Sequence, residues 1–409
     1  MVYSEFAKHT TPERGGCPME SIPANTQIRN FFAKLGLEEI YTRKILNHLA
    51  SFITAMAIKG YSAKMTDVEE ISGQHRTTAS YFLSKSPWDE KPLKAIIKNQ
   101  SFMHVAELAK QTGAPMFMSL DDTVNPKTKP SSRALRPMGG TAFHHSHLLG
   151  KRVWGHQVVA VMASCGELAL NYDLQRYDKT VQTKIQYAQT VIGNLPIPET
   201  SAYVLADSWY TCDKVIDACA ARGYHYIGAM KTNRIIFPQG IRISIADFAK
   251  HIELNDVDLV TVNGKQYYTY RYEGKLNGID NAVVILSWPK DAFKTPRALK
   301  AFISTDTTLS TVAILEYYAC RWCIETFFGQ TKDALGFGKY QIRSVKGIER
   351  LWTLMSLCHL LCTVGLRETM PFGSGLRSLR HDLVVDRITF IYHSAQINVP
   401  LDDVLDLCS

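Results

Sequence analysis

Between residues 25 and 100 the apolar positions recur at helical spacing, with few strand signals. From about residue 101 short apolar runs enter, predicting strands at 115–120, 153–163, 168–177, 203–206 and 224–230. Helices are predicted at 180–192 and 212–222. Early strands followed by alternating helix and strand predict an α/β fold, a mixed sheet flanked by helices. The next stretch is richer in strand, at 241–245, 258–262, 266–272 and 282–287, with Asn263-Gly264 as a two-residue hairpin signal. It predicts a β-rich insertion over 232–299, after which 300–305 returns to the sheet and Ser310 caps a long helix. Residues 122–150, rich in Lys, Ser, Gly, Pro and His, read as a mobile loop, and 1–23, broken by Pro and Gly, as a flexible leader.

Residues 65–83 of the helical segment resemble a helix-turn-helix. Val68 and Ile71 would pack its first helix, Gly73 permits the turn, and Ala79, Phe82 and Leu83 would anchor the second. Gln74, His75, Arg76, Thr78 and Ser80 would then point outward, with side chains suited to base edges and phosphates. A plain helical hairpin in a small bundle fits the same pattern.

Composition narrows the partner without naming it. Lys and Arg total 46 against 38 acids in 409 residues, and the net +8 suits a polyanion. The longest oily stretch, 351–366, holds Ser356 and His359 and is shorter than the ~20 residues of a membrane span, so it reads as a buried helix. The N-terminal residues show no basic-then-apolar signal layout, so a cytoplasmic location is expected. The nine cysteines lack a framework spacing, and Cys320-x-x-Cys323 has no second pair to complete a zinc site. Of the crowded His144, His145 and His147, all within the expected loop, a metal role is not expected.

The densest chemistry lies at 318–332. Tyr318, Arg321, Glu325 and Lys332 have the spacing Y-x2-R-x3-E-x6-K and share one helical face, while Leu315, Trp322, Ile324, Phe327 and Phe328 would bury the others. One carboxylate flanked by cations suits a site that holds a metal and grips phosphates, although Arg321 and Glu325 could also be a solvated i,i+4 pair. Two further acids end short apolar strands: Asp121 or Asp122 in Phe117-Met-Ser-Leu-Asp-Asp-Thr123, and Asp207 in Tyr203-Val-Leu-Ala-Asp-Ser-Trp-Tyr210.

Together these three ordered segments resemble those of bacterial insertion-sequence DDE transposases, of the RNase H-like transposase and integrase superfamily. The resemblance covers roughly residues 115–365. It implies an RNase H-like core in two parts, 101–231 and 300–371, interrupted by the insertion at 232–299. An N-terminal helical DNA-binding domain at 24–100 would precede it, and a C-terminal segment, 372–409, would follow. Asp121, Asp207 and Glu325 would then be catalytic acids and metal ligands, with Asp122 the alternative first acid. Three carboxylates in one cleft repel unless cations neutralise them, and the expected ions are Mg2+, two in number, with Mn2+ able to substitute.

The resemblance implies that Tyr318, Arg321 and Lys332 position DNA, and that Trp288 in the insertion stacks on an unpaired base; Arg76 and Thr78 are the expected contacts of the helix-turn-helix. The expected partners are double-stranded DNA, as terminal inverted repeats and target, and a second protomer on that DNA. The implied activity is cut-and-paste transposition. A metal-dependent nuclease of the same fold and a non-catalytic DNA-binding regulator are the competing readings.

Overall fold

The computed structural model describes residues 26–58, 61–146, 150–295 and 297–408; the expected leader lies outside them. The chain begins with helices α1 (Thr26–Lys34), α2 (Leu37–Ile40), α3 (Arg43–Ala57), α4 (Met65–Ser72), α5 (Arg76–Ser84) and α6 (Lys91–Thr112). The α4–α5 pair is the hairpin expected at 65–83. Gly73 ends α4 at φ 64°, a left-handed conformation that a Cβ would strain. Val68, Ala79, Phe82 and Leu83 are buried as expected, and His75, Arg76, Thr78 and Ser80 are exposed. Gln74, expected to face outward, is half-buried because its side chain turns inward to His48 of α3.

The first half of the sheet comprises β1 (Met116–Pro126), β2 (Ala142–Ser146), β3 (Lys151–Cys165) and β4 (Leu168–Tyr177). Helix α7 (Lys184–Gly193), strand β5 (Ala202–Ala206), helix α8 (Asp213–Ala221) and strand β6 (His225–Met230) follow. β3 is antiparallel to β1 and β4, whereas β5 is parallel to β1 and β6. The order β4-β3-β1-β5-β6 is the RNase H-like arrangement, with its second strand reversed. Residues 122–150 are not the single loop expected from their composition. β1 runs on to Pro126 against Gly155, and β2 pairs with the start of β3, so backbone pairing overrides the polar sequence at both ends. His144 and His145 lie in β2; His147 is outside the described residues.

The insertion contains β7 (Ile235–Ile236), β8 (Ile243–Ser244), α9 (Ile245–Phe248), β9 (Asp258–Val262), β10 (Lys265–Leu276) and β11 (Ile279–Pro289). The strand expected at 241–245 shrinks to two residues because the Ser244 hydroxyl accepts from the Asp247 N–H and starts α9. Asn263 and Gly264 turn between β9 and β10 with φ 48° and 76°, as a two-residue hairpin requires. β11 pairs with β12 (Lys300–Ser304), which pairs with β6, so the insertion prolongs the central sheet to twelve strands.

The last helices are α10 (Thr311–Ala319), α11 (Trp322–Ala334), α12 (Val345–Leu360), α13 (Phe372–Gln396) and α14 (Leu401–Cys408). The single helix expected from Ser310 is two, because the Arg321 N–H bonds to Tyr318 O and the Ile324 N–H to Arg321 O, a locally tightened turn. Trp322, expected to be buried, is 65% exposed. At ~100° per residue it stands about 160° from Ile324, which is buried.

The oily stretch at 351–366 forms most of α12 and a π turn at Leu361–Gly365, both packed in the core. Among the described residues no helix is long and apolar enough to cross a membrane. Arg350 of α12 is fully buried and docks the α4–α5 hairpin. It donates to Phe82 O, Leu83 O, Ser86 O and Trp88 O, stacks on Trp88 at 4.4 Å and pairs with Glu90 at 3.0 Å.

Candidate active site

Strand alternation decides where the first acid points. Met116, Met118 and Leu120 of β1 enter the main core. Phe117 instead joins a smaller cluster with Tyr203, Leu205, Ile227 and residues of α10. Ser119, Asp121 and Thr123 continue the Phe117 face, and each meets a side chain of the Tyr318–Ala334 stretch. Cys323 Sγ lies 3.7 Å from Ser119 Oγ, Arg321 Nη1 2.6 Å from Asp121 Oδ2, and Lys332 Nζ 2.8 Å from Thr123 Oγ1. The charged stripe therefore lies along the odd-numbered face of β1.

Asp122, one residue on, faces the opposite side. Lys184 Nζ and Tyr210 Oη donate to its Oδ1 at 2.7 and 3.0 Å, and Gln157 Nε2 donates to its Oδ2 at 2.5 Å. These three donors were not anticipated from the sequence. Each comes from a different element, and no local pattern marks them. Of the adjacent acids, Asp122 is fully engaged within the fold and Asp121 looks across at the charged helix.

The second acid follows from register. β1 and β5 pair in parallel from Met116↔Ala202 to Leu120↔Ala206, so Asp121 and Asp207 are the next residues on the two strands. Asp207 also organises the turn behind it, accepting the Trp209 N–H on Oδ1 at 2.9 Å and the Tyr210 N–H on its carbonyl at 3.2 Å. The turn role and the cleft position coexist.

Glu325 is linked to Asp121 only through Arg321, whose Nη2 lies 2.5 Å from Glu325 Oε1 while Nη1 holds Asp121. Burial pushes the Asp121 carboxyl up to about 7; Arg321 opposes this, and the Asp207 charge adds to it. For Arg321, burial acts to weaken the charge, but Tyr318, Asp121 and Glu325 outweigh it and hold the guanidinium protonated. Tyr318 is half-buried against Phe302, 4.8 Å between ring centroids, with Arg321 5.7 Å from its own ring centroid. Lys332 is half-buried, and burial lowers its pKa.

The three acids supply only oxygen donors, the chemistry that suits a hard divalent ion. Asp121 and Asp207 stand side by side for one, and Arg321 already neutralises Asp121 and Glu325 together. Among the described residues no three ligating side chains stand close enough to enclose an ion.

Not every expected site residue joins the cleft. Arg76 and Thr78 lie exposed on α5, which packs against α12. Trp288 corrects the expectation of a base-stacking aromatic: it is 2% exposed, at the β11 end, with its ring edge-on to Phe293 at 5.4 Å. The apolar insertion interior outcompetes solvent for it. Trp209 is 50% exposed, two residues after Asp207.

Comparison with known proteins bears on this arrangement. The transposase DDE-domain family matches residues 133–361, more than half of the chain, including Asp207, Glu325 and all four residues of the stripe. No curated protein matches the sequence. Among solved structures, a piggyBac transposase in a synaptic complex with hairpin DNA is similar over 93% of this chain and 82% of that one, with 11% identity and a TM-score of 0.44.

Proposed function

Because the chain belongs to the transposase DDE-domain family, and is thus an enzyme that cuts DNA and transfers strands, we propose that it performs Mg2+-dependent cut-and-paste transposition with Asp121, Asp207 and Glu325 as its acids. The observation that supports the reading is that Asp121 and Asp207 follow the last paired residues of parallel β1 and β5, while Arg321 links Asp121 to Glu325.

When bound, divalent ions supply Lewis-acid activation of a water or 3′-hydroxyl and stabilise the leaving oxygen. Asp121 and Asp207 would hold one ion and Glu325 a second, with Arg321, now paired to Asp121 and Glu325, free to meet a phosphate in their place. Arg321 offers a planar donor fork to non-bridging oxygens, Lys332 a point charge beside Thr123, and Tyr318 a face that orients the guanidinium. Arg76 and Thr78 on α5 contact the transposon end. Double-stranded DNA with terminal inverted repeats, target DNA and a second protomer are the partners, and the chemistry takes place on the cell's own DNA.

Incubating the protein with Mg2+ and linear DNA carrying the element's ends tests the reading. Excised and joined products support it. Nicks without joining would reduce the activity to a nuclease, and binding without cutting would leave a regulator.

A further inference from the structure

Positions 119, 121, 123, 125 and 127, along β1 and just past its end, each meet the stretch 321–334 or the residues that follow it. The first three rungs join side chains: Ser119 meets Cys323, Asp121 meets Arg321 and Thr123 meets Lys332. The last two use backbone carbonyls instead. Asn125 Nδ2 donates to Phe337 O at 3.0 Å, and Lys127 Nζ donates to Gly338 O at 2.9 Å and to Tyr340 O at 2.7 Å. The same ammonium lies 3.6 Å from the Tyr340 ring centroid. Tyr340 is fully buried, and its Oη is 2.8 Å from Nδ1 of His156, the residue paired with Asn125 on β3.

The two kinds of rung differ in what DNA offers them. Phosphate oxygens compete with Asp121 and Thr123 for the cations of Arg321 and Lys332, so those rungs are exchangeable. Asn125 and Lys127 hold main-chain atoms of the protein, and an aromatic face covers the Lys127 charge. Helix α11, of 13 residues, is a stiff rod about 20 Å long. Fixing its distal end therefore limits the swing at Glu325. Resting on the transposase reading, we infer that Asn125 and Lys127 are positioning residues. They keep α11, and with it Glu325, registered on the strand of Asp121 while Arg321 and Lys332 engage phosphate. Neither touches DNA or metal. The competing explanation is that they only close the 335–344 connection and add stability.

Hydrogen exchange of the full chain, followed by mass spectrometry, reads the helix without DNA or metal. Lys127→Met and Asn125→Ala are each expected to speed exchange of the 322–334 amides about tenfold, with the β4 amides at the parent rate. At saturating end DNA and Mg2+ the same variants should cleave about ten- to a hundredfold more slowly, with KM near that of the parent. Parent-like exchange over 322–334 in both variants, or equal loosening of that segment and β4, would overturn the proposal. So would a parent-like cleavage rate in a variant whose helix has loosened. A loss of duplex affinity with a flatter salt dependence would make Lys127 a phosphate contact instead. Cleavage by Asp207→Asn judges the catalytic reading separately: turnover there sinks the acid site while leaving the exchange result intact.

Discussion

Arg321 and Asp121, 200 positions apart in the chain, meet with Nη1 2.6 Å from Oδ2. That contact lays the charged helix over β1 and sets a guanidinium beside the Asp121 carboxylate. The same guanidinium pairs with Glu325, so one side chain holds two of the proposed catalytic acids. An arginine cannot release its proton to relieve such a cluster; it can only move.

Removing the acids one at a time should separate chemistry from binding. Asp121→Asn, Asp207→Asn and Glu325→Gln are each expected to reduce end cleavage roughly 100-fold or more while end binding persists in a gel-shift assay. Asp122→Asn should retain more activity than Asp121→Asn, because Asp122 spends its oxygens on Lys184, Tyr210 and Gln157. The reverse ranking would make Asp122 the first acid.

Asp121 also predicts a pH dependence of stability. Its carboxyl titrates at about 7 in the fold against 3.8 as its ordinary value. A raised pKa means that its contribution is fully present below 3.8 and is lost as pH rises through 7. Asp121→Asn should therefore raise Tm at pH 8, by roughly 5 °C, and leave it nearly unchanged at pH 4. Millimolar Mg2+ should stabilise the parent protein at the higher pH and not this variant. Calorimetry reads both effects without any DNA.

Lys332 reaches Thr123 from the far end of the stripe. Lys332→Ala should weaken DNA binding at low salt and flatten the slope of log affinity against log salt by about 0.9, the loss of one phosphate contact. A titration series over ionic strength measures it. An unchanged slope would confine Lys332 to holding β1.

Arg350 is the structural counterpart. Burial pushes the Glu90 carboxyl up, and Arg350, helped by a backbone hydrogen bond and the Lys94 charge, reverses that and leaves it lowered. Arg350→Ala strands Glu90 and several carbonyls and should cost about 3–5 kcal/mol in chemical denaturation. Arg350→Lys should recover little, since one ammonium cannot span the same acceptors.

The local code determined much of this protein. Strand alternation, the Asn263-Gly264 hairpin, the Gly73 turn and the spacing of Tyr318, Arg321, Glu325 and Lys332 are properties of neighbouring residues, and each is legible in the sequence. Even the exposure of Trp322 was present in its angle from Ile324. The tertiary structure alone decided what depends on distant strands and helices coming together. It prolonged β1 through a polar segment because β3 was there to pair with it. It drew the insertion into the main sheet, sank Trp288 and left Trp209 in solvent. Above all it turned Asp121 toward Arg321 and Asp122 toward Lys184. Two identical side chains in adjacent positions carry the same local signal, and only the elements packed on either side of β1 distinguish them.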